Sequence, residues 1–478
     1  MHGPDDDFPI DLSDFEYYAY RDEITENPMV MVFRTHIDGP VDVEAFRTSV
    51  AEAICHHPLL RSVIDQTGNR LSWKLLDGHE PQLDCTFHDD EYPPANCPGA
   101  WLDLTREAGA RFELRICPHR SVLISWFHHA CVDGIGGIGF LSDVFALYGQ
   151  KTAASEADRP EVQWPVPQVL LKRGAIPDLG GHGGKKKKWT EWLRGPASFL
   201  LRKNYCINAR ESIRLYGTAD ENILHTAVLS RSTVRQLKHL AANRQVSTND
   251  LCMMVYLQQI AQWTQADPAA RDNDLLRILM PVSMRTPEHD GISAANVLSY
   301  VFQPFRRRDC RNSEALLAAI HHSSTEMIHS NEGTVLLRLF ALVRRVPVLF
   351  RLSRKLQPSF ATAVLANVGE LKRVFGNRFP LKKGRVVAGN VVIKRIDGIA
   401  PLRRNTNVVI SFGGYGGELI LNLRANPDVM SAGEAESFLN QVVSRLATIA
   451  TSQSLTSADR GANDSQPLGS DKQEADVK

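Results

Sequence analysis

The 478-residue sequence contains no CxxC pair, and its eight cysteines (Cys55, Cys85, Cys97, Cys117, Cys131, Cys206, Cys252 and Cys310) are scattered without a histidine at metal-ligand spacing. That pattern argues against a zinc ribbon or a redox dithiol, and no metal site is expected. Scattered thiols in so long a chain are expected to be reduced and mostly buried, as in a cytoplasmic protein. No apolar run reaches the roughly 18 residues of a membrane span, so no transmembrane helix is expected. The acidic start, Met1–Asp7, lacks the basic and apolar regions of a signal sequence. A formal net charge of +1 gives no global attraction to nucleic acid, and none is expected as a partner. What remains is an ordinary soluble composition, 23% charged and 43% hydrophobic, in a chain long enough for two domains.

Within that composition one stretch stands out. Ser121–Phe127 is apolar, rich in strand-forming residues and bounded by Pro118-His119-Arg120, so it reads as a largely buried strand. It delivers His128 and His129 at its end, followed by Asp133 and then Gly134, Gly136, Gly137 and Gly139. Phe140–Tyr148 is helix-compatible. A strand breaking into a glycine-rich turn before a helix is a common place to present chemistry on a rigid scaffold. Histidine suits a general base, because its ordinary pKa of about 6.5 leaves it largely neutral at pH 7. Strand alternation sends His128 and His129 to opposite faces.

His128-His129-Ala130-Cys131-Val132-Asp133-Gly134 resembles the HHxxxDG motif of the CoA-dependent acyltransferase superfamily. That group includes chloramphenicol acetyltransferase-like enzymes, peptide-synthetase condensation domains and wax ester synthase/diacylglycerol acyltransferases. Ala53–Arg61 resembles the family's xxHPxLR helix end, Met280–Arg285 its PVxxR strand, and Asn296-Val297-Leu298-Ser299 the segment that follows. The resemblance runs from about Pro9 to about Ala447. It implies an α/β fold, a two-lobed chloramphenicol acetyltransferase-like sandwich with the active site in a tunnel between the lobes. It also implies His129 as general base and His128 as a structural neighbour. Asp133 is then expected to pair with Arg285 as a bracket between the halves, rather than to relay charge to His129. Gly134 is expected to let the backbone pass close to substrate. Asn296 and Ser299 are candidates for the oxyanion, with Asn367 as their rival. Acyl-CoA is implied as co-substrate, with no bound cofactor.

The organisation along the chain agrees with a mixed α/β reading. Residues 1–151 are expected to form a first lobe, 152–217 a basic crossover linker, 218–450 a second lobe, and 451–478 a disordered tail. Asp42 is placed to cap a helix over Val43–Ile54, with Val43, Phe46, Val50 and Ile54 on one face. Arg61–Asp65 and Leu71–Leu75 read as a hairpin. In the second lobe, strands are expected over Thr226–Ser230, Leu276–Val282, Asn407–Phe412 and Glu418–Leu423, the last two joined by Gly413–Gly417. Helices are expected over Arg231–Ala242, Leu251–Ile260, Ser313–Met327 and Ser431–Ala450. Asp178–Gly183 resembles a carrier-protein phosphopantetheine site, but Gly183 replaces the serine that the group needs, so it reads as a chance match.

Other residues have competing readings. Cys131 lies two residues from His129, yet a thiol in an apolar run reads as core rather than nucleophile. His56-His57 reads as a helix terminus and His321-His322 as a solvated helix face. Lys185–Arg194, Pro196–Lys203 and Leu336–Leu352 mix basic and apolar residues. They read as contacts to a membrane or lipid-droplet surface, on the inner face of a membrane, with a solvated linker and a core-lining helix as the alternatives. The functional expectation is an acyltransferase using acyl-CoA and a hydroxyl acceptor such as a long-chain alcohol or diacylglycerol, most like the wax ester synthase branch. The alternatives are a condensation-like enzyme fed by an acyl carrier protein, with an amine as a further acceptor, and a non-catalytic binding module.

Overall fold

The computed structural model describes residues 5–452 apart from 26, 69, 77, 79, 95, 176–202, 208–222, 331, 347, 349–351 and 353–358. Two large sheets organise the chain. The first has seven strands in the order β12 (Leu381–Lys382), β13 (Arg385–Ala388), β14 (Val391–Ile399), β2 (Val30–Asp38), β7 (Arg120–His128), β6 (Ala110–Ile116) and β5 (Leu83–Phe87). The second has six, in the order β10 (Leu298–Arg306), β9 (Leu275–Ser283), β11 (Ala363–Glu370), β15 (Val408–Tyr415), β16 (Glu418–Ala425) and β8 (His225–Leu229). A three-stranded sheet of β1 (Ile10–Asp11), β4 (Arg70–Leu75) and β3 (Ser62–Thr67) holds the expected hairpin.

The buried residues form two core clusters, one centred on each large sheet, and the first also takes in Leu279, Tyr300, Val364, Val409 and Ile420 of the second sheet. In the first, α2 (Val43–Cys55) and α3 (Gly134–Thr152) cover the sheet with Phe46, Phe127, Phe140 and Phe145 buried together. Asp42 caps α2 by accepting from the Ala45 amide. In the second, α5 (Thr248–Trp263) and α9 (Ala432–Ser452) pack Met253, Tyr256, Phe438 and Leu446 against the sheet. The Ser247–Asp250 capping box starts α5 three residues before the expected Leu251, because it satisfies the first-turn amides there. Strand β15 likewise extends through Tyr415, further than the glycine content suggested. The buried Tyr415 hydroxyl accepts from the Val386 amide (3.0 Å) and donates to the Ile393 carbonyl (3.0 Å), tying the second sheet to the first.

Sheet membership does not follow the expected division of the chain. Residues 381–399, assigned by sequence to the second lobe, supply β12–β14 to the first sheet. Strand β14 pairs antiparallel with β2, from Val392 opposite Asp38 to Ile399 opposite Val32. Nothing local marks that excursion, since only the long-range pairing defines it.

The resemblance at 178–183, the lysine run at 185–188 and the tail from 453 lie outside the described residues. Of the Leu336–Leu352 segment, α7 (Glu332–Arg345) buries Phe340 against Tyr18, stacked at 4.2 Å, while Arg338, Leu342 and Val346 are exposed. Among the described residues no helix is long and apolar enough to cross a membrane.

Candidate active site

The site forms where β7 ends at the seam between the sheets. Strand β7 is buried along nearly its whole length, which is why it reads as a continuous apolar run. Its last residue, His128, pairs with Val30 of β2, and the next amide, His129 N, donates to Met29 O (2.6 Å). The two histidine rings then part. His128 is fully buried; its Nδ1 accepts from the Ala130 amide (3.0 Å). That leaves the proton on Nε2, which lies 3.3 Å from the Glu23 carboxylate, at ion-pair distance.

His129 turns toward a cavity of about 110 Å³ between the sheets. Its Nδ1 lies 3.1 Å from the Val132 carbonyl, which can only accept, so the proton of the neutral ring sits on Nδ1. Nε2 is therefore the basic nitrogen. Burial pushes the His129 pKa down, opposed by the Asp133 charge and the Val132 carbonyl, so the ring is held neutral.

Asp133 has three structural tasks. As the N-cap of α3 it accepts from the Gly136 amide (2.8 Å). It also accepts from the Val297 amide (2.9 Å) and forms a two-pronged pair with Arg285, at 2.8 and 2.9 Å. Burial pushes its carboxyl up, but Arg285 and the two amides outweigh that and hold it below the ordinary carboxylate value. Both oxygens are thus engaged with Arg285, Gly136 and Val297, and the Nδ1 proton of His129 goes to Val132. Asp133 fixes the turn; it is not the histidine's hydrogen-bond partner.

Gly134 opens α3 and lines the cavity together with His129, Asp133, Arg285 and Asn367. The tightest backbone approach lies two residues on. A Cβ at Gly136 would sit 2.9 Å from the Ala295 carbonyl oxygen, whereas one at Gly134 would make only ordinary contact with Val368 at 3.7 Å.

Two expected oxyanion donors are placed differently. The Asn296 amide nitrogen donates to both the His129 and Ala130 carbonyls, at 2.9 and 2.8 Å. With both protons engaged it buttresses the histidine turn and has none for an oxyanion. The buried Ser299 hydroxyl donates to Gly333 O (2.6 Å) and is not part of the cavity wall. Asn367 does line the cavity; its amide nitrogen makes one long bond, 3.3 Å, to Asn249. Ser283 and Ser411, which carry no motif signal, also line it.

His56 caps the C-terminus of α2 and His57 follows it, at the helix terminus expected from the sequence, and His57 is buried. Its Nδ1 accepts from the Ala294 amide (2.8 Å), so its Nε2 proton faces Asp143 (3.0 Å), which Arg378 also engages. It thereby anchors the segment that carries Asn296. Its place beside Pro58-Leu59-Leu60-Arg61 was the available signal. His321 is also less free than a solvated face implies: Nδ1 lies 3.2 Å from Asp250, while His322 is largely exposed. Cys131 is buried in the core, where burial pushes its thiol pKa well up and keeps it protonated.

No family model matches the sequence. The chondramide synthase cmdD of Chondromyces crocatus is 27% identical over 243 residues, 45% of this chain and 5% of that protein. The chain therefore matches only a small part of that synthase's length. Among solved structures, the trichothecene 15-O-acetyltransferase TRI3 of Fusarium sporotrichioides has a TM-score of 0.64 at 12% identity, over 92% of this chain and 94% of that one. The first condensation domain of the CDA synthetase gives 0.63 at 12%, over 93% and 96%. The starter condensation domain of rhizomide synthetase RzmA, solved with C8-CoA and Leu-SNAC, gives 0.61 at 12%, over 93% and 94%. The chain thus has the two-lobed α/β fold shared by condensation domains and CoA-dependent acyltransferases.

Proposed function

We propose that this chain moves an acyl group from a thioester to a hydroxyl acceptor by direct attack, with His129 as the general base. The observation that carries this reading is the orientation of the His129 ring. Val132 fixes the proton on Nδ1, and burial keeps the ring neutral, so an unprotonated Nε2 is available beside the cavity. The acceptor hydroxyl gives its proton to Nε2 as its oxygen bonds to the thioester carbonyl carbon. The tetrahedral oxyanion then collapses, the C–S bond breaks, and the imidazolium returns the proton to the thiolate. Asn367 and Ser283 are cavity side chains able to donate to the oxyanion.

Acyl-CoA as donor is supported by the fold shared with an O-acetyltransferase and with a starter condensation domain solved with C8-CoA. The match to chondramide synthase favours a second reading, in which the donor is an acyl carrier protein and an amine can replace the hydroxyl. The test is thiol release from a series of acyl-CoAs and from the same acyl groups on a phosphopantetheinylated carrier. Acceptors are a long-chain alcohol, a diacylglycerol and an amine. Release that depends on an acceptor supports the acyltransferase reading, and the preferred pair identifies donor and acceptor. Wax ester synthase-like chemistry requires the alcohol or the diacylglycerol to be preferred. Binding of acyl thioesters with no release under any pairing refutes catalysis and leaves a binding module.

A further inference from the structure

The cavity beside His129 is lined by both polar and apolar side chains. His129, Ser283, Arg285 and Asn367 belong to its polar lining, and Met31, Phe33, Ile135 and Ile399 to its apolar lining. A second cavity of about 20 Å³ adjoins it. The two share Phe33, Val368 and Gly398, and the second one continues between Ile138, Leu371, Ile396 and Ile420. Phe33 thus borders both cavities, as a shared part of their walls.

That partition is held rigidly. A Cβ at Gly398 would lie 2.6 Å from the Phe33 ring, and one at Gly137 3.2 Å from it, so β14 and α3 press the ring from two directions. Phe127 meets it edge-on, with ring centroids 5.9 Å apart. Two polar side chains near the partition, Ser411 and Asn422, already make hydrogen bonds. Ser411 donates its hydroxyl to the Gly398 carbonyl, and the Asn422 carbonyl oxygen accepts from the Thr226 hydroxyl (2.9 Å). A polar ligand tail would lose its hydrogen bonds to water there, whereas a hydrocarbon tail would not.

Building on the acyltransferase reading above, we infer that the apolar part of this cavity receives the acyl tail of the donor and that Phe33 sets its length. The wild-type protein takes a short acyl chain that stops at the ring, and the second cavity is unused space beyond it. Phe33 is a specificity-determining residue and the substrate class is a short-chain acyl thioester.

The test uses unreactive S-alkyl-CoA thioethers with chains of about two to twelve carbons, titrated calorimetrically so that turnover is not needed. Each methylene that reaches apolar wall is expected to tighten binding about fourfold, until the chain meets Phe33 and the gain stops. Phe33→Leu and Phe33→Ala join the two cavities and move that break about two to three carbons longer. Adding Ile420→Phe to Phe33→Ala fills the second cavity and draws the break back. The Leu variant keeps most of the side-chain volume, so the test survives if the Ala variant does not fold. A break at the same length in wild type and folded Phe33 variants overturns the inference. So does affinity that never depends on chain length. A break that moves as described, in a protein that releases no thiol from any acyl-CoA, upholds the pocket and refutes the catalytic reading. No thioether bound at any length by folded wild type overturns the pocket and the CoA donor together.

Discussion

Replacing Asp133 with asparagine preserves the shape of the side chain and removes half of its acceptors. In the wild type, Oδ1 accepts from the Gly136 amide (2.8 Å) and from Arg285 (2.9 Å), while Oδ2 accepts from the Val297 amide (2.9 Å) and from Arg285 (2.8 Å). Asparagine has one oxygen. Whichever way its amide turns, an NH2 group faces one backbone N–H and one guanidinium N–H. The stranded backbone donor costs about 1–3 kcal/mol and the lost charge-assisted bond about 1.5–3 kcal/mol. Their sum agrees with the roughly 3–5 kcal/mol lost when one partner of a buried ion pair is removed. Asp133 is 2% exposed, so solvent screens little of this. The assay is urea unfolding followed by tryptophan fluorescence for wild type, Asp133→Asn, Arg285→Met and the double variant. The expected coupling between the two sites is about 2 kcal/mol or more, with each single variant destabilised. Single variants within about 0.5 kcal/mol of wild type, adding independently, would refute the bracket.

Further predictions concern the histidines and the thiol. Because burial lowers the His129 pKa, kcat/KM is expected to fall on the acid side with an apparent pKa below about 6.5, and a value above it contradicts the neutral-base reading. The stability effect has the same sign. The unfolded chain takes up the proton first as the pH drops below about 6.5, so His129 leaves stability unchanged above that value and costs stability below it. Asp133, with its lowered pKa, adds stability above the unfolded carboxylate value of about 3.9, which is lost as the pH falls through the folded value. Measured unfolding midpoints should therefore decline from near neutrality downward. His57→Ala strands the Ala294 amide and should cost about 1–3 kcal/mol while lowering kcat through the loosened Asn296 segment; unchanged kcat in a folded variant contradicts that coupling. Cys131→Ala should keep kcat within about tenfold, because a buried protonated thiol is no nucleophile, and abolished activity in a folded protein would reinstate it.

Much of this arrangement is legible in the sequence where it is local. The apolar run into His128-His129, the Asp42 cap and the buried face of α2 follow from periodicity and capping chemistry, and the structure has them. The pairing of Asp133 with Arg285 came from the family resemblance rather than from spacing. What escaped depends on contacts between distant residues. Asn296 sits where an oxyanion donor could be sought along the chain, yet its amide is taken by carbonyls 166 and 167 residues away. Residues 381–399 join the first sheet through β2, a pairing that no local pattern encodes. His57 does stand at the end of α2, but its partners, Asp143 and Ala294, come from two other parts of the chain and no local pattern names them.

The most direct test of the central claim compares folded wild type and His129→Ala in acceptor-dependent thiol release from the preferred acyl thioester. Loss of a positioned general base predicts a fall in kcat of about 10²–10⁴-fold with little change in thioether affinity. Release that continues at the wild-type rate in His129→Ala would contradict His129 as the base.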